Sequence, residues 1–278
     1  IGSYDFAIRR RDLEVGTHST VVLIHMRINR NLILAFLIWI GNLHGSDVPF
    51  ISGERLEYSL KWGFIPVGSA VMEVLPTRKK QGKNLQVIRF SVRTNDFADA
   101  FYKVRTVVES EVSEDFSKSY FYSKTQREGK TKRDVKVRFD YQRRVAEYVE
   151  NNGESRTVEI QDPVFDPLAI AYFFRLNPIG ENSQRVLPTC DGKRFMQIVV
   201  RTGPYDRMTV PAGKFKVVGT TPEMKNLSGV FKKSPDGILR VWYSADNRRL
   251  PVKISSKVAV GSFTASLVKT SGLVSGGG

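Results

Sequence analysis

The chain has 278 residues, 41% of them hydrophobic, with 43 Lys+Arg against 28 Asp+Glu and a formal net charge of +15. Cys190 is its one cysteine, which excludes an intramolecular disulfide. All three histidines, His18, His25 and His44, precede residue 45, so the remainder can build neither a Ser-His-Asp or Cys-His arrangement nor a His-bearing zinc site.

Residues 1–25 open on Ile1 and run through a polar stretch containing Arg9, Arg10 and Arg11, without the pattern of a folding unit. They are expected to lie upstream of the natural start. At Met26 the pattern changes: Arg27 and Arg30 form a short cationic segment, and residues 32–40 are an unbroken apolar run. A spanning helix needs about 20 apolar residues. A signal-peptide core takes roughly 7–15 behind a positive segment, which this run fits. Residues 26–45 are therefore expected to be a secretory signal peptide cut near Gly45 or Ser46, which sends the chain to the periplasm. An uncleaved anchor and a buried helix are the competing readings. No Cys follows the run, so a lipoprotein is not expected.

Residues 46–278 keep 38 Lys+Arg against 25 Asp+Glu, so the basic excess belongs to the domain that follows. Such a charge concentrates anions at the surface. In a cell envelope the candidate partners are anionic lipid, lipopolysaccharide phosphates and acidic glycan; the chain is peripheral to a membrane at most, and nucleic acid is not expected.

From residue 50 to 270 no repeat, linker or change of composition divides the chain, and one β-rich domain is expected over residues 46–270. Period-two alternation predicts strands at 56–62, 67–75, 85–94, 101–112, 119–127, 135–141, 144–149, 195–201, 215–220, 239–244, 252–260 and 263–268. Val135, Val137 and Phe139 against Lys136, Arg138 and Asp140 show the pattern plainly. Short Gly-, Asn- or Asp-bearing joints favour antiparallel meanders. The expected fold is mainly β: a large curved antiparallel sheet or barrel-like single domain with one apolar helix packed on its concave side. That helix begins at Pro167, where proline is best tolerated, with Asp166 as its cap and Asn177-Pro178 as its stop. The connection from Asn177 to Lys193 reads as the least regular part, and residues 271–278 as a flexible tail.

Motifs for chemistry are sparse. There is no G-x-G-x-x-G, Walker A or G-x-S-x-G sequence. Ser266 and Lys269 have S-x-x-K spacing, but in a strand an offset of three places them on opposite faces. Without a His base, Cys190 reads as a structural thiol. No catalytic or metal-ligating residue and no cofactor is expected. Paired carboxylates for glycoside chemistry remain open, because their separation is set in three dimensions.

Several segments, in order, resemble a widespread bacterial family of exported proteins, domain-of-unknown-function family 3108. They are Gly53-Glu54-Arg55-Leu56-Glu57-Tyr58 through Trp62 with Val67-Gly68-Ser69-Ala70, then Asp166-Pro167-Leu168-Ala169-Ile170-Ala171-Tyr172-Phe173-Phe174-Arg175. Val210-Pro211-Ala212-Gly213-Lys214-Phe215 follows, then Leu239 to Asp246, Arg249-Leu250-Pro251-Val252 and Gly261 to Leu267. The resemblance implies a periplasmic, mostly antiparallel β protein of unassigned activity, and it brings no catalytic residues.

Two functions are expected from these features. The first is a non-enzymatic envelope protein whose sheet and helix form a cup for a lipid or other amphiphile, with cations at an anionic head. Its candidate ligand contacts are Trp62, Tyr172, Phe173 and Trp242, with Arg127, Lys130, Lys132 and Arg133 as the basic group; core packing is the competing role of the helix aromatics. The alternative is a scaffold or interaction protein that binds acidic glycan or a partner in envelope assembly. A cavity inside the sheet favours the first and a filled interior the second.

Overall fold

The structure is a computed structural model that describes residues 48–177, 180–223, 238–257 and 261–273. Residues 1–47, and with them the expected signal peptide, lie outside the described residues, as do Val258, Val260 and the tail beyond residue 273.

β1 (Arg55–Trp62), β2 (Ile65–Lys80), β3 (Lys83–Thr94), β4 (Val104–Ser113), β5 (Ser119–Glu128), β6 (Thr131–Asp140), β7 (Val145–Glu150) and β8 (Ser155–Glu159) follow one another as a meander. A second meander holds β9 (Gln184–Cys190), β10 (Phe195–Val210), β11 (Gly213–Pro222), β12 (Ile238–Ser244), β13 (Pro251–Lys257) and β14 (Ser262–Ser271). β14 pairs with β1, antiparallel like the other pairs, and joins the two into one sheet ordered β8 to β1, then β14 to β9. The first and last strands thus lie side by side in mid-sheet, and the free edges are β8 and β9.

Alternation fixes which side is inside. In β6, Val135, Val137 and Phe139 are buried while Lys136 and Arg138 are exposed; a one-residue slip would reverse every one of them. Gly68 on β2 is needed for close approach: a Cβ there would overlap Arg93 O and stand 2.8 Å from Thr94 Cα on β3. Gly213, at φ +138°, carries the β10–β11 turn in a conformation that side chains disfavour.

Among the described residues two helices interrupt the strands, α1 (Asp96–Asp99) in the β3–β4 connection and α2 (Ala169–Leu176) between the meanders. α2 is the expected apolar helix, starting two residues later than its proline suggests. Asp166 nevertheless caps it, accepting from the backbone N–H of Leu168 at 2.9 Å and Ala169 at 3.0 Å. Leu168, Ala169 and Tyr172 share a core with Leu56 and Tyr58 of β1, Met72 and Val74 of β2, Val210 of β10 and Leu267 of β14. One helix can touch strands this far apart only because the sheet curls around it, so α2 lies on the concave side. The sheet is curved but not closed.

The segment that follows β8 reaches the β9 edge. Phe165 bridges to β9 in parallel, donating its N–H to Pro188 O and accepting from Cys190 N–H, both at 2.9 Å. Lys193, in the β9–β10 turn, reaches Glu154 beyond β7 at 2.8 Å. β9 and β8 correct the expected layout, in which 177–193 was an irregular connection and β8 was absent. Pro188 cannot donate to a ladder and is tolerated because β9 is an edge strand. β8 is short and almost wholly exposed, so it lacks an apolar face. β10 also runs nine residues past the expected end, through a register shift between Thr202 and Tyr205 that breaks the alternation.

Candidate functional site

A cavity of about 380 Å³ lies between α2 and the second meander. Leu168, just before the helix, and Ile170, Ala171 and Phe174 of α2 line one side; β10 adds Met196, Ile198 and Val200; Val241, Tyr243 and Ile254 come from β12 and β13. Met72 and Phe90 complete the wall from the first meander. The helix lines the space because its other residues are held elsewhere. Its N-terminus is fixed by Asp166, whose carboxylate also accepts from the hydroxyls of Ser119, at 2.7 Å, and Ser110. Burial pushes the Asp166 carboxyl above the usual carboxylate range, against the opposing pull of those hydroxyls and the two backbone N–H groups.

The other end of α2 is fixed by an ion pair with no exposed surface. Arg175 donates to both carboxylate oxygens of Glu54, at 2.5 and 2.8 Å. It also reaches the carbonyls of Pro49 and Arg248, each at 3.2 Å, and lies over the ring of Phe50. Arg249 in turn donates to the carbonyl of Arg175. Glu54, Arg175 and Arg249 stand in three separate segments of the sequence resemblance, and the fold brings them together at one point.

The cavity is nearly devoid of polar demand. Thr220 donates to Val241 O at 3.0 Å, Thr189 to Leu187 O at 3.1 Å and Tyr243 to Ala171 O at 3.2 Å. Among the described residues Asp191 is the only charged side chain on the wall, and it accepts from the backbone N–H groups of Lys193 and Arg194, both at 2.9 Å. Burial raises the Tyr243 phenol, so it stays protonated as that donor. An enclosed cavity lined by such side chains takes up apolar guests at about 150 Å³. This one is more than twice that size, and within the roughly 300–1,000 Å³ of ordinary ligand pockets.

The expected contact residues do not gather around this space. Tyr172 is fully buried in the main core, edge-on to Phe50 at 5.1 Å, and among the described residues its hydroxyl has no hydrogen-bond partner. Phe173 packs edge-on against Phe165 at 4.9 Å, under the guanidinium of Arg185. Trp242 faces away from Val241, with Arg240 and Lys253 over its ring. Trp62 stacks on Phe263 at the far end of β1. Arg133 is held by both oxygens of Glu150, at 2.8 and 2.7 Å, and Arg127 by both of Asp134, at 2.8 Å each. Lys130 and Lys132 are exposed around the β5–β6 turn and make no ion pair among the described residues. Ile170, Ala171 and Phe174 are the helix residues that face the cavity. Their i, i+1, i+4 spacing signals a helix face, but which face is lined and which is packed depends on the sheet.

Two other groups bear on chemistry. Cys190 is buried, and burial pushes its thiol up to about 12, which removes the thiolate needed for reactivity. A polar depression is lined by Arg78, Lys80, Glu109 and Glu111, where Glu111 is shared by Arg78 and by Lys80 at 3.2 Å. Its charges largely satisfy one another.

The family described as "Protein of unknown function (DUF3108)" matches residues 57–268. The chain belongs to that family. A crystal structure from Brucella abortus, described as a β-barrel-like protein of domain of unknown function DUF1849, is 10% identical. It superposes with a TM-score of 0.52, covering 82% of this chain and 100% of its own. The likeness is one of fold. A Bacteroides fragilis protein provisionally described as exported, with a YmcC-like fold, is 10% identical with a TM-score of 0.36 over 80% of this chain and 97% of its own. A Parabacteroides distasonis protein provisionally described as a lipoprotein is 12% identical, at 0.35 over the same shares. Neither superposes well enough to bear on fold or function. No curated protein matches the chain.

Proposed function

We propose that the chain is a non-enzymatic protein of the cell envelope, exported to the periplasm, that houses the hydrocarbon part of an anionic amphiphile between α2 and the second meander. The observation that carries this reading is the cavity itself: about 380 Å³, walled by Leu, Ile, Val, Met and Phe, with its few hydroxyls already engaged. An apolar guest loses nothing there, whereas a sugar or nucleotide would leave its own polar groups unpaired. The head group stays outside, where an excess of 38 Lys+Arg over 25 Asp+Glu in residues 46–278 favours a negative one. Export rests on the cationic segment and apolar run that begin at Met26.

Native mass spectrometry after gentle purification tests the reading. A lipid adduct in stoichiometric amount, released by organic extraction and identified as an acyl-bearing anion, is expected. A clean apo mass, with no uptake of added phospholipid or lipopolysaccharide, overturns it.

A further inference from the structure

Seven aromatic side chains among the described residues are exposed, and six of them, all but Tyr205, stand at one end of the curled sheet. In an antiparallel meander successive turns alternate between the two ends. The β1–β2, β3–β4 and β5–β6 connections and the start of β14 therefore share an end, which carries Phe64, then Phe97, Phe101 and Tyr102, with Trp62 and Phe263 beside them. Phe64 is 97% exposed and Phe101 78%, values that no folded core requires.

These connections are tied into one surface. Gly63 donates to Ser262 O at 2.9 Å, which joins the β1–β2 turn to the start of β14. Asn95 donates through its side chain to Pro66 O and through its backbone to Val67 O, both at 2.9 Å, which joins α1 to the start of β2. Gly129 donates to Lys103 O at 2.8 Å, which joins the β5–β6 turn to the β3–β4 connection. The aromatic side chains stand on a hydrogen-bonded rim.

The rim is also positively charged. Lys61, Arg93, Lys103, Lys130, Lys132 and Lys257 are exposed there and make no ion pair among the described residues. Of the acids at this end among the described residues, Asp99, Asp134, Glu150, Glu154 and Glu223 are paired with Arg105, Arg127, Arg133, Lys193 and Arg201, Asp191 accepts from two backbone N–H groups, and Glu128 accepts from Thr106 and Gln126, which leaves Asp96.

We propose that this rim docks the protein on an anionic lipid surface. Aromatic rings favour the interface between head groups and acyl chains, and flanking cations are drawn to anionic lipids. Several turn tips at one end of a sheet meet a plane together, as a bilayer surface requires. A second copy of the chain would bring like charge against like charge, which argues against self-association through this face. The cavity reading is independent of this one, since amphiphile uptake is measured without vesicles and docking without a free ligand.

The test is co-sedimentation of the full chain with vesicles of phosphatidylethanolamine and phosphatidylglycerol, compared with phosphatidylcholine alone. The apolar run at 32–40 is common to every arm, so differences between variants and between lipids are what is read. Phe64→Ser/Phe101→Ser and Lys130→Glu/Lys132→Glu alter only exposed side chains, and unchanged circular dichroism melts confirm their folding. Each pair of substitutions is expected to weaken binding to the anionic vesicles by about tenfold or more. Wild-type binding to phosphatidylcholine is expected to be weaker than to the anionic mixture. Binding unaffected by either pair, or equal on both kinds of vesicle, overturns the proposal. So does a wild-type dimer in solution that Phe64→Ser/Phe101→Ser converts to a monomer, because the rim would then be an interface between copies.

Discussion

Arg175 and Glu54 form a fully buried pair, and the cost of disturbing it depends on whether one partner or both are changed. Glu54→Gln leaves a buried guanidinium without its counter-charge and is expected to lower unfolding free energy by about 3 kcal/mol or more in urea titrations. Glu54→Leu/Arg175→Met removes both charges and is expected to cost less than the single change; a double variant worse than either single one contradicts this account. Tyr172 presents the opposite case. Its buried hydroxyl lacks a partner among the described residues, so Tyr172→Phe is expected to leave stability unchanged or raise it by about 1 kcal/mol. Glu150 links stability to pH. The Arg133 guanidinium holds its carboxyl at about 2, below the ordinary 4.5 of an unfolded chain. The stabilisation is therefore complete above about 4.5 and is lost as pH falls from there towards about 2. In Glu150→Gln that part of the acid limb is expected to flatten, and an unchanged limb assigns it to other groups. None of these partnerships is legible in a pattern of period two: Glu54 and Arg175 are 121 residues apart, and only the curl of the sheet joins them.

α2 shows what local chemistry can and cannot reveal. Its cap was readable because Asp166-Pro167 is a local signal, and Asp166→Ala is expected to cost about 1–2 kcal/mol for the lost bonds to Leu168 and Ala169. The loss should exceed that of Asp166→Asn, which keeps an acceptor; equal losses would mean that the cap bonds contribute little. The division of α2 into a packed side with Tyr172 and a cavity side with Ala171 and Phe174 was not readable, since nearly every residue of the helix is apolar. Strands with a clean inside and outside, such as β6, stand out in the sequence. β8 and β9 do not, because an edge strand needs no regular apolar face and β9 carries Pro188.

For the whole molecule, the antiparallel, curled character follows from short turns and sustained alternation, and the pairing of β14 with β1 from the need to continue a sheet between two meanders. The empty space is a property of the assembled object. It exists because α2 is anchored at both ends, by Asp166 and by Arg175, and packs towards the first meander while β10 to β13 curve past it. The aromatic residues at the turns belong to the same scale, since their proximity comes from the alternation of hairpins between two ends.

The central claim is that the cavity accepts an acyl chain. Titration of a fluorescent fatty acid into the wild type and into Ala171→Trp, which places an indole in the cavity while keeping the backbone carbonyl that Tyr243 uses, tests it most directly. Saturable uptake near one per chain in the wild type, weakened about tenfold or more in a variant that melts at the same temperature, is the predicted result. No saturable uptake in the wild type, or equal uptake by both proteins, contradicts it.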